Sequence, residues 1–248
     1  MHKEVAVVVG GANGIGFATI QQLKANYTAI VVLDYDEEAL RKLEGVTTYC
    51  VDIRDGQVVQ HTIDEIEEKI GAITALIHVA GVLVVGDVCD CSDEEWDRLF
   101  DINVKGVFHV TKHVARHMKK RAKGAMVIVG SNAASTPRLD IGAYGASKAA
   151  TIRYCQSLGL ELAPYNIRCN IVSPGSTRTS MQTSMWQDER GEKNVIHGNL
   201  ERYKVGIPLG KIANPIDIAN VISFLLSDLA NHITMENIVV DGGATLGV

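Results

Sequence analysis

The chain has 248 residues, of which 46% are apolar and 21% charged, with a formal net charge of −5. That length suits one large α/β domain, and that balance excludes a wholly disordered chain. No dense Lys/Arg block suggests a nucleic-acid binder, and no apolar run reaches the ~18 residues that a membrane helix needs.

The opening apolar run, VAVVV, passes straight into glycines instead of a cleavage site, unlike a secretory leader. The five cysteines (Cys50, Cys89, Cys91, Cys155, Cys169) form no C-x-x-C. Reduced thiols in a cytoplasmic protein are the expectation, with neither membrane nor nucleic acid as partner.

In chain order, β-branched apolar runs predict strands at 5–9, 29–33, 47–51, 75–79, 125–129, 167–172 and 238–240. Most are continuous rather than alternating, as in strands buried on both faces of a parallel sheet. Amphipathic segments between them predict helices at 14–25, 36–43, 55–70, 93–120, 143–163 and 215–228. The expected fold is α/β: a single-domain, Rossmann-type, doubly wound parallel sheet of about seven strands with helices on both faces. Residues 1–90 would mainly bind cofactor, and residues 100–212 would carry the catalytic groups and a lid. The polar stretch 176–212 interrupts the alternation, and a long connection of this kind is usually functional.

The first strand runs into Gly10-Gly11-Ala12-Asn13-Gly14-Ile15-Gly16, followed by a helix. Such a turn lets the backbone approach a pyrophosphate, and the helix N-terminus offers free N–H groups. The spacing is G-x-x-x-G-x-G, not the commoner G-x-G-x-x-G. Asp34 ends the second strand, where a carboxylate accepts from a ribose diol and repels a 2′-phosphate. No Arg or Lys follows it before Arg41, so NAD is expected over NADP. Asp52, after the third strand, is placed to meet the adenine amino group.

Tyr144 and Lys148 lie four apart at the start of a predicted helix and so share a face. A fixed ammonium beside a phenol favours the phenolate. Ser131, at the C-terminal end of the fifth strand, would orient a substrate oxygen. Asn103, on the long helix after the fourth strand, would hold a water joining Lys148 to solvent. His109, His113 and His117 recur every four residues on that helix, without a carboxylate to make them a metal site. They flank Leu99, Ile102, Gly106 and Val110, opposite a core stripe at Val104, Val107, Thr111, Val114 and Met118. This second apolar face is expected to be a partner surface.

GGANGIG, HVAG at 78–81, Asn103, Ser131, YGASK at 144–148 and SPGST at 173–177 together resemble the short-chain dehydrogenase/reductase family across essentially the whole chain. The resemblance implies a nicotinamide cofactor, NAD here, and a catalytic tetrad of Asn103, Ser131, Tyr144 and Lys148. It implies cofactor contacts at Gly11, Asn13, Gly14, Ile15, Gly16, Asp34, Asp52, Ile53, Ala80 and Gly81. Further contacts would come from Tyr144, Lys148, Pro174, Gly175 and Thr177. It also implies a homotetramer joined through the helices containing Asn103 and Tyr144. Two departures stand out: Gly10 replaces the usual Thr, and His78-Val79 the usual Asn-Asn. Both bear on the bracing of the central strands, and His78 is read as a structural substitute.

Longer strings, among them STPR at 135–138, MQTSMW at 181–186 and IPLGKIA at 207–213, are similar to one NAD-linked branch of that family. That branch dehydrogenates a dihydroxycyclohexadiene carboxylate for catechol siderophores. A small carboxylate substrate needs a cation, for which Arg138 is the first candidate and Arg178 its rival. Ser131 and Tyr144 would hold the reacting oxygen, and Met181, Gln182 and Trp186 would close over a flat ring. The alternatives are another NAD-linked alcohol dehydrogenase or 3-oxoacyl reductase of the family, or a non-catalytic dinucleotide sensor. A sensor would typically have lost the Tyr or the Lys.

Overall fold

In the computed structural model, which describes residues 4–186, 188 and 190–247, the apolar runs pair into one parallel sheet. The strands are β1 (Glu4–Val9), β2 (Ala29–Asp34), β3 (Thr47–Cys50), β4 (Ala72–His78), β5 (Gly124–Val129), β6 (Ile167–Pro174) and β7 (Asn237–Val240). Their order is β3-β2-β1-β4-β5-β6-β7. The register sets Val7 of β1 opposite Val31 on one side and Leu76 on the other. Strand order reverses between β1 and β4, and the C-terminal ends of these strands frame a crevice, the usual ligand position in such sheets.

The helices are α1 (Gly14–Leu23), α2 (Glu37–Leu40), α3 (Gly56–Lys69), α4 (Asp93–Phe100), α5 (Val107–Arg121), α6 (Gly142–Leu162), α7 (Ser180–Thr183), α8 (Gly191–His197) and α9 (Pro215–Leu226). Successive strand residues point to opposite faces. Val5, Val7 and Val9 therefore join one core with Ile63 and Ile66 of α3, Val114 and Met118 of α5, and Leu162 of α6. Ala6 and Val8 join the other core with Ile20 and Leu23 of α1 and Ile218 and Ile222 of α9. Local signals set the helix starts. The Asp55 carboxylate accepts from Gln57 N–H and Val58 N–H, and Ser92 forms a capping box with Glu95.

Two expectations change. The predicted helix 93–120 is interrupted by a π-helical turn, Asp101–Gly106. The second apolar face on that helix is not a free surface, because Leu99, Gly106 and Val110 are buried inside the protomer. The loop after β3 and helix α3 cover it: a Cβ on Gly106 would lie 2.5 Å from Ile53 Cδ1. The histidines serve the same contact. His109 Nδ1 lies 2.9 Å from the Ile53 carbonyl oxygen, His117 Nε2 lies 2.7 Å from Asp64 Oδ1, and His113 is buried. One helix is thus flanked on two sides, by sheet and by α3, which sequence periodicity reads as a spare face. Among the described residues no helix is long and apolar enough to cross a membrane.

Candidate active site

Three chain segments meet at the crevice between β1 and β4. Gly10 has a left-handed φ of +76°, and a Cβ there would sit 2.5 Å from the Ala80 nitrogen. A Cβ on Gly16 would collide with the Gly10 carbonyl oxygen, so α1 starts flush against the turn. Asn13 precedes α1 without a side-chain cap, leaving the first N–H groups of that helix open to an anion. Thr179, at the start of the long connection, packs over the turn: a Cβ on Gly14 would lie 3.2 Å from Thr179 Cγ2. Gly175 closes the far side, where a Cβ would lie 2.5 Å from Asp241 Cβ. The Thr177 hydroxyl donates to the Gly175 carbonyl at 3.1 Å. This glycine cradle and uncapped helix fit a dinucleotide.

At the end of β2, Asp34 Oδ2 accepts from the Ala12 N–H at 3.0 Å and Oδ1 from the Asp36 N–H at 3.2 Å. The carboxylate is therefore aimed by the turn it would serve. Arg41, the nearest cation downstream, is taken by Glu37 at 2.7 Å. The loop after β3 begins beside this acid, since Val51 N–H donates to the Asp34 carbonyl at 2.8 Å. Asp52 in that loop is less available than its position suggested. The Arg54 guanidinium clasps it with bonds of 2.6–3.0 Å and holds its carboxyl below the usual range.

The four tetrad candidates lie at the C-terminal ends of β4 and β5. Ser131 follows β5 and its Oγ accepts the Ala133 N–H at 3.1 Å. Tyr144 and Lys148 project from the first turns of α6, with Lys148 Nζ 5.9 Å from the Tyr144 ring centre. Lys148 is buried and its Nζ donates to the Val129 carbonyl at 3.0 Å. Asn103 sits within the π turn, fully buried. Its Oδ1 accepts the Val82 N–H, and its Nδ2 donates to the Val82 carbonyl and to Ser147 Oγ. Asn103 thus joins the strand-end loop to α6, with both amide hydrogens used. Asn103 and Lys148 also converge on Gly81, where a Cβ would lie 3.1 Å from Asn103 Oδ1 and 3.2 Å from Lys148 Nζ.

The electrostatics differ from the simple expectation of an ammonium lowering a phenol. Burial pushes Tyr144 above its ordinary value of 10.0, outweighing the hydrogen bond with Ser131 that pulls it down. Burial also pushes the Lys148 ammonium down to about 8. In the chain by itself, desolvation dominates both partners. His78, buried at the end of β4, is driven down to about 3 by burial and by Lys148, so its ring is neutral. Its Nε2 has no hydrogen-bond partner among the described residues.

Of the two candidate carboxylate-binding cations, Arg178 is occupied by Glu192 at 2.6 Å. Arg138 is half-buried and, among the described residues, donates only to the Ala244 carbonyl, at 3.3 Å. The long connection folds into α7 and α8. Met181 is exposed and Gln182 half-buried on α7, and Trp186 packs against Gly191 with its Nε1 buried and unpartnered among the described residues.

A family model described as enoyl-(acyl carrier protein) reductase matches residues 10–245. The 2,3-dihydro-2,3-dihydroxybenzoate dehydrogenase of Bacillus subtilis (strain 168) is 47% identical over 100% of this chain and 98% of its own. The vibriobactin-specific 2,3-dihydro-2,3-dihydroxybenzoate dehydrogenase of Vibrio cholerae is 42% identical over 97% of this chain and 95% of its own. The chain belongs to the short-chain dehydrogenase/reductase family. A short-chain type dehydrogenase/reductase from Mycobacterium ulcerans shares the dehydrogenase fold, with a TM-score of 0.88 and 28% identity over 98% of this chain and 90% of that one.

Sequence reasoning passed over Asp241. Its Oδ2 accepts from Asn132 Nδ2 at 3.2 Å and from the Thr245 hydroxyl at 2.8 Å, and its Oδ1 from the Gly243 N–H at 2.9 Å. It thereby braces the segment after Ser131 against the C-terminal loop that holds Arg138. An acid directly before Gly242-Gly243 at the end of the last strand was the available signal. Ser147, whose Oγ accepts from Asn103 and so joins it to α6, lies inside the YGASK string.

Proposed function

We propose that this dehydrogenase oxidises 2,3-dihydro-2,3-dihydroxybenzoate to 2,3-dihydroxybenzoate with NAD, in catechol siderophore biosynthesis. The observation that carries the reading is one loop. Ser131 and Tyr144 bracket it, and between them lies Arg138, a half-buried guanidinium with no carboxylate on it among the described residues. A small hydroxylated ring acid would find a proton acceptor, an oxygen-binding hydroxyl and a counter-charge there. The two named relatives are similar over nearly their whole length.

The residues divide the work as follows. Ser131 donates to the oxygen of the ring carbinol and holds it toward Tyr144. The Tyr144 oxygen, held as a phenol by burial in the chain alone, must first give up its own proton and then takes the hydroxyl proton as the carbinol carbon loses hydride. NAD, when bound, supplies the hydride acceptor. Lys148 holds positive charge beneath the phenol, and Asn103 keeps Gly81 and Val82 fixed over Lys148. The ketone formed loses a ring proton and regains it on oxygen, giving the aromatic catechol. Aromatisation makes the oxidation downhill.

NAD rather than NADP is supported by Asp34, which makes no ion pair with any cation among the described residues. Cytoplasmic location and a homotetramer belong to the same reading. Phe108 of α5, exposed and edge-on to Tyr154 of α6, supports association through the helices that follow Asn103 and carry Tyr144.

The test is turnover of the purified protein. NADH absorbance should grow with the dihydrodiol acid and NAD, and Tyr144→Phe should abolish it. A wild type that leaves this acid unchanged while oxidising other alcohols would move the assignment to a different branch of the family.

A further inference from the structure

Three cations and one carboxylate meet beside the loop between Ser131 and Tyr144. Arg138 and Asp140 come from that loop. Arg202 and Lys204 come from the tight turn Asn199–Lys204 within the long connection. The Arg202 guanidinium pairs with Asp140 Oδ2, fastening that turn to the catalytic loop. The turn is built firmly: Asn199 N–H donates to the Lys204 carbonyl at 2.8 Å, Lys204 N–H returns to the Asn199 carbonyl at 2.9 Å, and Asn199 Oδ1 accepts the Arg202 N–H at 3.2 Å. Two residues without glycine's freedom hold left-handed backbone here, Asp140 at φ 66° and Tyr203 at φ 54°. Such conformations persist where surroundings over-determine them, and they cluster at functional sites.

Asp140 is already taken by Arg202. Lys204 is half-buried, and its ammonium has no hydrogen bond or ion pair among the described residues. The charged groups that act on it are Arg202, Arg138 and Asp140. Among the described residues Arg138 has one carbonyl and no acid. Among the described residues, three cations against one carboxylate leave two positive charges uncompensated at a partly desolvated place. Partly buried charge left unpaired is unfavourable, so this arrangement suits an anion that completes it. Burial and the two guanidinium groups hold the Lys204 ammonium below its usual range, as expected while that anion is absent.

We propose that Lys204, together with Arg138, binds the carboxylate of the substrate ring, and that Lys204 determines the preference for acids over neutral diols. Arg138 supplies a planar fork from the catalytic loop, and Lys204 a point charge from the adjoining Asn199–Lys204 turn. An anion held between them belongs to a molecule whose hydroxyl lies within the span from Ser131 to Tyr144. The Arg202–Asp140 pair positions the turn and leaves Lys204 free. The inference rests on the substrate reading above and adds to it a residue from outside the recognised motifs.

Lys204→Gln, Lys204→Arg and wild type should be compared with NAD and two substrates: the dihydrodiol acid, and the cyclohexadiene diol lacking the carboxylate. For Lys204→Gln the expected loss on the acid is about 10–100-fold in kcat/KM, carried by KM, the range for one charge-assisted contact. The neutral diol should change by less than about threefold, and Lys204→Arg should recover most of the loss. Calorimetric titration of 2,3-dihydroxybenzoate and catechol in the presence of NADH reads the same preference without turnover. Wild type should favour the acid, and Lys204→Gln should lose that gap.

Equal losses on both substrates, or an unchanged acid preference in Lys204→Gln, would overturn the role of Lys204 while leaving the substrate reading intact. A wild type that neither turns over the acid nor prefers 2,3-dihydroxybenzoate to catechol would overturn both.

Discussion

Asn103 grips the backbone of Val82 from both sides, its Oδ1 taking the N–H at 2.8 Å and its Nδ2 giving to the carbonyl at 2.9 Å. A regular helix is interrupted at that point by the π turn, and such turns recur at functional sites. The expected outcome for Asn103→Ala is the loss of three hydrogen bonds, counting the one to Ser147. That is worth about 2–3 kcal/mol, or roughly 5–10 °C in Tm, in a chain of this size. Turnover should fall with it, because Gly81 and Val82 would no longer be fixed over Lys148. Thermal unfolding and kcat measured on one preparation check both effects, and a Tm within a degree of wild type would contradict this account.

Buried Lys148 and the adjacent Tyr144 set a pH dependence with a definite sign. Lys148 is pushed down to about 8 from 10.5. Below pH 8 it is charged in both folded and unfolded chains, and the folded chain bears the desolvation of the ammonium. Between about 8 and 10.5 the unfolded chain still holds the proton that the folded chain has lost, so this residue adds stability as pH rises. Lys148→Met removes the buried charge and also the bond to the Val129 carbonyl. It should abolish turnover and yet stabilise the fold at pH 7, by roughly 1–2 kcal/mol after the lost bond is subtracted. That advantage should shrink and then reverse toward pH 10.5. Denaturant unfolding of both proteins across this range measures it, and a variant less stable at every pH would refute the burial argument. For Tyr144 the sign is opposite in consequence: the cofactor-free protein should show no phenolate from this residue below its ordinary 10.0. The ultraviolet difference titration against Tyr144→Phe reads this directly.

Asp34→Asn separates charge from hydrogen bonding. The amide oxygen can still accept the Ala12 N–H, which Asp34 Oδ2 accepts at 3.0 Å, while the 3.2 Å bond from the Asp36 N–H is lost, so the turn should persist at a cost of about 1 kcal/mol. The repulsion of a 2′-phosphate disappears. The ratio of kcat/KM for NAD over NADP should fall by about 10–100-fold. Steady-state kinetics with both cofactors give the ratio, and an unchanged value would mean that Asp34 shapes the turn without selecting the cofactor.

Much of this protein is written locally. The inner strands β1, β2, β4, β5 and β6 are near-continuous apolar runs because both of their faces are buried, and that alone places them. The glycine turn shows itself because no Cβ fits at Gly10 or Gly16. Tyr144 and Lys148 show themselves because one helical turn separates them, and a helix fixes that relation without reference to the remainder of the chain. The contacts between remote segments have no such local trace. Periodicity marked the face of α5 beside His109 as spare, and only the docking of α3 and Ile53 filled it. Asn103 lies inside a predicted helix, but the π turn there is fixed by what its side chain finds in Val82 and Ser147. Lys204 is one lysine in a polar stretch until the pairing of Arg202 with Asp140 sets it beside Arg138. Side-chain period and backbone preference act over a few residues, so the sequence determined the elements and the order of the catalytic groups. Which charges face one another across the crevice depends on how the chain crosses itself, and only the folded arrangement decided that.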